Sequence, residues 1–429
     1  MTNIQTVKGF RDFDPEVCAR RNFIFATWRR VARRYGFVEY DVPVLESTDL
    51  FRKKSGDEIT KQLYCFDDKG GRELSMRPEV TPSLARLAAA RQRQYKKPLK
   101  WFQIGSCFRY EEPQEGRTRE FIQFNADILG DTSPGADAEL IALAIDTMLE
   151  FGFSAEDFAI RLSNREIWNT FLTNYCIPSE QIGPFLQIID KIERAKPEET
   201  AKKLAAIGLS VGEVRSFMNH ANADHPAFAD LRANLTVRGL WQHVRIDASI
   251  VRGLAYYTGT VFEVFDLKHN LRAIAGGGRY DRLINLISNG KTDMSAAGFA
   301  MGDVVLGILL DKTPGSQFKL TSAVQDALAI DAALIIAGEA QRPHALAALQ
   351  TLRARNLRID YAFAPASVEK QLQAAKNRKA RYAIVFGAEY PQLTLKDLVA
   401  RTQEEIPAHT LADTLTQRLA QPPTGPLLA

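Results

Sequence analysis

Trp101-Phe-Gln-Ile-Gly-Ser-Cys-Phe-Arg-Tyr-Glu-Glu-Pro-Gln-Glu-Gly-Arg-Thr-Arg-Glu-Phe-Ile-Gln-Phe-Asn-Ala-Asp127 reads as a strand, a charged loop and a returning strand. The pattern predicts strands over 99–108 and 121–129. Arg109 ends the first, and the loop carries Glu111, Arg117 and Arg119. With a side-chain period of two, Phe121, Gln123, Asn125 and Asp127 share one face. An aromatic beside three polar residues does not make a packed core face. It makes a floor for a polar ligand. The blander reading is a charged hairpin on a solvated sheet, and the arginines converging from both strands count against it.

A second dense stretch is Arg252-Gly-Leu-Ala-Tyr-Tyr-Thr-Gly-Thr-Val-Phe-Glu263. Tyr256, Tyr257, Thr258, Thr260, Val261 and Phe262 are strand formers. Gly253 and Gly259 leave room for a ligand or a second backbone. A guanidinium holds a phosphate or carboxylate in a planar fork, and a phenol both donates and accepts. Alone, the stretch reads better as a packed core strand, with its tyrosines packed and its arginine meeting solvent. Beside the first, it suggests a site for a small polar substrate carrying negative charge.

The 429 residues exceed one ordinary core, so two or three domains are expected. Lys+Arg 55 against Asp+Glu 51 gives +4, which allows a local basic patch for nucleic acid without demanding one. No apolar run is long enough to span a membrane. Met1 to Phe10 lacks the layout of a signal peptide. Cys18, Cys65, Cys107 and Cys176 show no C-x-x-C spacing, so neither a zinc site nor a disulfide framework is expected, and a reducing cytoplasm is. His220 and His225 fall on different helix faces, and no metal ligands are expected.

Helical periodicity covers 16–36, and a strand-like run follows over 37–45, where Pro43 implies an edge or irregular pairing. Helices are expected at 79–95 and 136–150, and a strand at 157–163. Residues of about 165–240 read as a helical insertion. Strands are expected at 244–250, 255–265 and 271–275, with Gly276-Gly-Gly278 leading into a helix at 279–288. A strand around Gly298, a helix at 303–311 and the linker composition of Lys312-Thr-Pro-Gly-Ser316 close a domain over 1–325. From 329 the pattern alternates: strand 332–336, helix 341–355, strand 357–362, basic helix 367–379, strand 381–386. That rhythm predicts a separate α/β domain over 329–429.

The Phe-Arg-x-Glu, loop, Arg-x-x-x-Phe pattern of 108–121 resembles the second motif of class II aminoacyl-tRNA synthetases. With Met76-Arg-Pro-Glu-Val-Thr81, the stretch from Arg252, Lys8-Gly-Phe-Arg-Asp12, Gly36-Phe-Val-Glu-Tyr-Asp-Val-Pro43, Ala275-Gly-Gly-Gly-Arg-Tyr-Asp281 and Ala297-Gly-Phe-Ala-Met-Gly302, the chain resembles the histidyl-tRNA synthetase family. The likeness runs from about residue 5 to residue 412. It implies an α+β fold: a class II antiparallel sheet flanked by helices, a helical insertion and a C-terminal mixed α/β anticodon-binding domain. It implies ATP and L-histidine as substrates with Mg²⁺, a histidine tRNA as partner, a homodimer built around Pro43, and no membrane.

The resemblance also implies roles. Arg109 and Arg252 would be the catalytic cations at the α-phosphate. Glu79, Val80, Thr81 and Gln123 would lie at the histidine amino group. Asp127 and Tyr257, with Tyr256 beside them, would lie at the imidazole, and Tyr280 near the histidine substrate. Phe121 and Glu111 would meet adenine, Arg117 the outer phosphates, and Gln114 the tRNA acceptor end. The chain departs from the pattern at three positions. Asp127 stands where the family has Glu, Ala255 where it has Asp, and Val305 where it has the arginine of the third motif. Arg272, Arg282 and Arg119 are candidates to replace that last charge. Val305 also admits an alternative, a non-catalytic paralogue such as the regulatory subunit of ATP phosphoribosyltransferase. A further alternative is an inactive histidine- or tRNA-binding module.

Overall fold

A computed structural model describes residues 4–55, 61–193, 195–221, 223–251 and 256–421. The chain divides into two compact units, one of residues 1–13 and 21–320, the other of residues 14–20 and 321–429. No helix among the described residues is long and apolar enough to cross a membrane.

The first unit is built on an eight-stranded, mostly antiparallel sheet. In spatial order its strands are Val38–Glu39, Leu99–Phe108, Glu120–Leu129, Ala296–Gly302, Ala275–Arg279, Thr260–Asp266, Phe158–Asn164 and Val244–Ile246. The hairpin at 99–129 registers Cys107 on Phe121, Gly105 on Gln123 and Trp101 on Asp127. Alternation along 120–129 separates two environments. Phe124 turns to the back face, where it stacks on Trp28 at 5.7 Å and meets Phe299 edge-on at 5.7 Å. Trp28, from the helix Pro15–Arg34, is fully buried and donates its indole N–H to Met301 Sδ at 3.2 Å. Burial of each such ring contributes roughly 1.5–3 kcal/mol.

The helix Pro134–Phe151 also covers the back face. Its buried Asp137 takes Arg279 Nη2 at 3.1 Å. Arg279 also donates to the carbonyls of Asp131 and Ser133 at 2.9 and 3.1 Å and to Asp281 Oδ1 at 3.3 Å. Burying a charge is tolerable only when it is paired and hydrogen-bonded in this way.

The front face is closed at one end and open at the other. Helices Thr48–Ser55, Thr81–Arg91 and Leu283–Ile287 supply Phe51, Leu84, Ala88, Leu283 and Ile284 to a cluster that buries Trp101, Leu129, Tyr257 and Tyr280. A small antiparallel sheet of Leu45–Ser47, Glu73–Met76 and Tyr64–Asp67 lies in the same unit. Helices between Arg165 and Val237 form the expected helical region, and Asn164 and Ser210 cap two of them. Its core is aromatic, with Phe171, Phe185 and Phe217 packed around Trp168.

Four expectations need correction. Gly276–Gly278 lies inside a central strand, Ala275–Arg279, rather than after one. Tyr256 and Tyr257 precede their strand, which starts at Thr260. The 37–45 run is not one strand: Val38–Glu39 pairs parallel to Trp101 and Phe102, Leu45 starts a separate strand opposite Met76, and Pro43 between them offers no donor. The segment at 312–316 is a helix–helix junction, with Pro314 opening the helix Pro314–Leu328.

The second unit holds a mixed sheet ordered Ile359–Tyr361, Ala332–Ile336, Tyr382–Phe386, Gln392–Asp397 and Thr402–Pro407. The first three strands are parallel and the last two add antiparallel pairs. Buried Gln371 exchanges hydrogen bonds with the backbone of Ile336 and also donates to Ala366 O. This ties the basic helix Val368–Asn377 to the sheet.

Candidate active site

The open end of the front face is a cavity of about 760 Å³. Arg109, Glu111, Arg117, Phe121 and Gln123 all line it. The hairpin explains this: Phe121 and Gln123 point forward by alternation, and the loop folds Arg117 back onto Glu111 at 2.8 Å. Arg109 is held by its Nε, which donates to Pro78 O at 3.1 Å, with its guanidinium 5.1 Å from the centre of the Phe121 ring. Gln114 sits exposed at the loop tip, outside the cavity, bridged to Arg117.

The closed end holds the residues expected at the imidazole. Tyr280 Oη donates to Asp127 Oδ1 at 2.5 Å. Burial pushes the Asp127 carboxyl up to about 7, against the pull of that hydrogen bond. Burial, then the Asp127 charge, pushes the Tyr280 phenol well above its ordinary range. Tyr256 packs against Tyr257 at 4.6 Å and Tyr280 at 6.0 Å. Lys54 joins the two groups of residues. Its ammonium lies 4.3 Å from the Tyr256 ring centre and pairs with Glu79. Thr81 opens the helix Thr81–Arg91, while Val80 is fully buried beside Val42 and Cys107. Burial pushes the Cys107 thiol up to about 12, and its Sγ meets Gln123 Oε1 at 3.5 Å.

Glycine shapes the floor between the two ends. In register across the strands stand Asp127, Gly298 and Gly278. A Cβ on Gly298 would lie 1.9 Å from Asp127 Oδ1. A Cβ on Gly278 would lie 2.4 Å from Thr260 O and 3.0 Å from the Tyr257 ring. The carboxylate and the ring therefore lie across positions that only glycine leaves open. Gly105 does the same for the buried Arg77 guanidinium, which donates to the carbonyls of Val42 and Ser106.

Sequence reading missed several lining residues. Arg161 and Glu263 come from neighbouring strands, and Ile189, Asp190 and Glu193 from the helical region. Tyr40 lies within the field of Asp127, and its buried hydroxyl has no hydrogen-bond partner among the described residues. Its signal was its place in the Gly36–Pro43 stretch. Arg252 and Ala255 lie outside the described residues.

An antiparallel sheet whose open face joins a guanidinium-lined cavity to a buried acid–phenol pocket has the layout of a class II aminoacyl-tRNA synthetase. A family model described as histidyl-tRNA synthetase matches residues 9–303, and one described as an anticodon binding domain matches 331–418. The histidine–tRNA ligase of Opitutus terrae is 39% identical, covering 95% of this chain and 97% of that protein. The chloroplastic/mitochondrial enzyme of Arabidopsis thaliana is 42% identical, covering 72% of this chain and 66% of that protein. The crystal structure of histidyl-tRNA synthetase from Nostoc sp. PCC 7120 superposes with a TM-score of 0.76 at 23% identity, covering 97% of this chain and all of that one. The chain belongs to the histidyl-tRNA synthetase family.

Proposed function

We propose that this chain is a histidine–tRNA ligase. It joins the L-histidine carboxylate to the α-phosphorus of ATP, releasing pyrophosphate, and then passes histidine to the 3′ end of its tRNA. One observation carries the reading: the cation- and aromatic-lined cavity opens on the same sheet face that holds the buried Asp127–Tyr280 pair.

Adenylate formation needs alignment and charge neutralisation more than covalent help. Arg109, fixed by Pro78 O, and Arg252 offset the charge that develops at the α-phosphate. Phe121 stacks on adenine, Glu111 accepts from its amino group, and Arg117 holds the outer phosphates. Glu79, Thr81 and Gln123 receive the histidine ammonium next to Val80. Asp127 and Tyr257 meet the two imidazole nitrogens, with Tyr256 and Tyr280 enclosing them. The Tyr280 hydroxyl engages one Asp127 oxygen and leaves the other for an imidazole N–H. A pocket built to satisfy both nitrogens rejects apolar isosteres, which would leave its own polar groups unpaired.

Among the described residues no cluster of three His, Cys, Asp or Glu side chains suits a resident metal. Single carboxylates do line the cavity, which fits Mg²⁺ arriving with the nucleotide. Glu263 and Asp190 would hold it, and it would supply charge neutralisation at the phosphates.

The remaining assignments belong to the same reading. Residues 1–325 act as the catalytic domain, interrupted at about 165–240, and 329–429 as the anticodon-binding domain. Gln114 faces the tRNA acceptor end. The enzyme is a cytoplasmic homodimer; exposed Val38, Val44 and Leu45 around Pro43 support that interface. Val305 favours a non-catalytic regulator, but the cation-lined cavity and the C-terminal domain argue against one. Histidine-dependent ATP–pyrophosphate exchange tests the proposal. Exchange no faster than without histidine would overturn it.

A further inference from the structure

The cavity must neutralise a polyphosphate, yet Val305 puts an apolar side chain on its wall in the first turn of the helix Asp303–Lys312. Of the three candidate arginines for that charge, two are directed elsewhere. Arg119 donates from Nε to Glu111 O at 3.0 Å and lays its guanidinium over Tyr110 at 4.5 Å, outside the cavity. Arg282 is exposed at the start of the short helix Leu283–Ile287, also outside it.

Arg272 lines the cavity. Its Cδ lies 3.7 Å, and Val305 Cγ2 3.3 Å, from the point where a Cβ on Gly116 would stand. The loop tip, the first turn of the helix and the Arg272 stem thus meet at one place. The backbone around Arg272 is fixed on both sides. Asp266 accepts from Lys268 N, His269 N and Leu271 N, closing the preceding turn. Ile274 N donates to Val264 O at 2.8 Å, and Gly302 N donates to Ile274 O at 3.1 Å. That last bond sets the Arg272 segment beside the start of the Asp303 helix. The helix has no side-chain cap at Gly302, and both Val304 and Val305 face the cavity. Its N-terminus adds a favourable field for an anion at the same spot.

We infer that Arg272 is the terminal-phosphate cation of this enzyme, standing in for the side chain that Val305 cannot provide. The inference rests on the ligase reading for its substrate, and on the convergence of Gly116, Arg272 and Val305 for its place. A short valine and an arginine reaching in from the facing loop fill one space together. An arginine at both positions would crowd like charges there.

The test compares the full-length protein with Arg272→Ala, Arg272→Lys and Arg282→Ala. ATP KM and kcat are read in histidine-dependent pyrophosphate exchange, and direct binding is measured for AMP and for a non-hydrolysable ATP analogue. Arg272→Ala should raise ATP KM and the analogue Kd by roughly 10- to 100-fold, the scale of a lost charge-assisted contact. AMP binding should stay unchanged, Arg272→Lys should retain most of the affinity, and Arg282→Ala should match the unmutated protein. Unchanged analogue binding in Arg272→Ala, or an equal loss for AMP and the analogue, would overturn the assignment. Absence of exchange in the unmutated protein would instead sink the ligase reading, while the two nucleotide affinities would still judge Arg272.

Discussion

Gly298→Ala puts the shape of the proposed histidine pocket to a quantitative test. The new methyl would stand 1.9 Å from Asp127 Oδ1, where ordinary contact begins at 3.4 Å, so the carboxylate must retreat by about 1.5 Å. It cannot do so and keep its 2.5 Å hydrogen bond from Tyr280. Loss of that buried bond costs about 1.5–3 kcal/mol. Residual overpacking against Ala126 O, 2.9 Å from the new methyl, adds about 1–3 kcal/mol. A destabilisation of about 2.5–6 kcal/mol is expected, a large part of a typical folding free energy. Urea unfolding followed by tryptophan fluorescence reads it, since Trp28 and Trp101 belong to this sheet's surroundings. The cycle is completed with Asp127→Ala and the double variant. With the carboxylate gone the methyl has space, so the double variant should recover about 2 kcal/mol or more of the Gly298→Ala cost. Costs that add to within about 0.5 kcal/mol would show that the carboxylate does not lie over Gly298. An unchanged histidine KM in Gly298→Ala would refute Asp127 as the imidazole acceptor.

Arg279→Met should destabilise the first unit by about 3–5 kcal/mol in the same assay, because it strands the buried Asp137 charge. Asp127 binds its proton more tightly in the folded chain than in the unfolded one, so its ionisation weakens folding as pH rises from about 4 through 7. The melting temperature of Asp127→Asn should therefore gain on that of the unmutated protein across this window; a gap independent of pH would refute the raised pKa. In the second unit, exposed Lys370, Lys376 and Lys379 lie on or just after the basic helix, whereas Arg381 donates to Gln421 O. Lys376→Ala should lower the salt dependence of tRNA binding by about one unit of slope, read from affinities over a salt series.

The hairpin at 99–129 was legible in the sequence because its alternation, its terminal arginine and its charged loop all agree. Phe121, Gln123 and Asp127 face where a period of two puts them. The glycine run was misplaced because glycine favours turns and breaks strands. Here its backbone pairs on both sides while side chains from other strands occupy the space above it. The strand Gln392–Asp397 carried a readable signal in alternating, buried Leu393 and Leu395. Thr402–Pro407 did not, because its exposed Gln403, Glu404 and Glu405 look like a loop. No periodicity marks Arg272 or Asp190, since their place depends on loops and helices meeting across the cavity.

The glycine-lined floor also limits how this pocket can change. Methyl groups at Gly278 and Gly298 would fall 2.4 Å from Thr260 O and 2.9 Å from Ala126 O, into backbone that cannot yield. The glycine positions offer no side chains to exchange, so variation at them can only subtract function. On the proposed reading, any drift in amino-acid preference, in nature or in the laboratory, enters through the walls: Asp127, the tyrosines at 256, 257 and 280, and Tyr40. An engineering library aimed at altered substrate choice is best spent on those five positions, with the glycines held fixed.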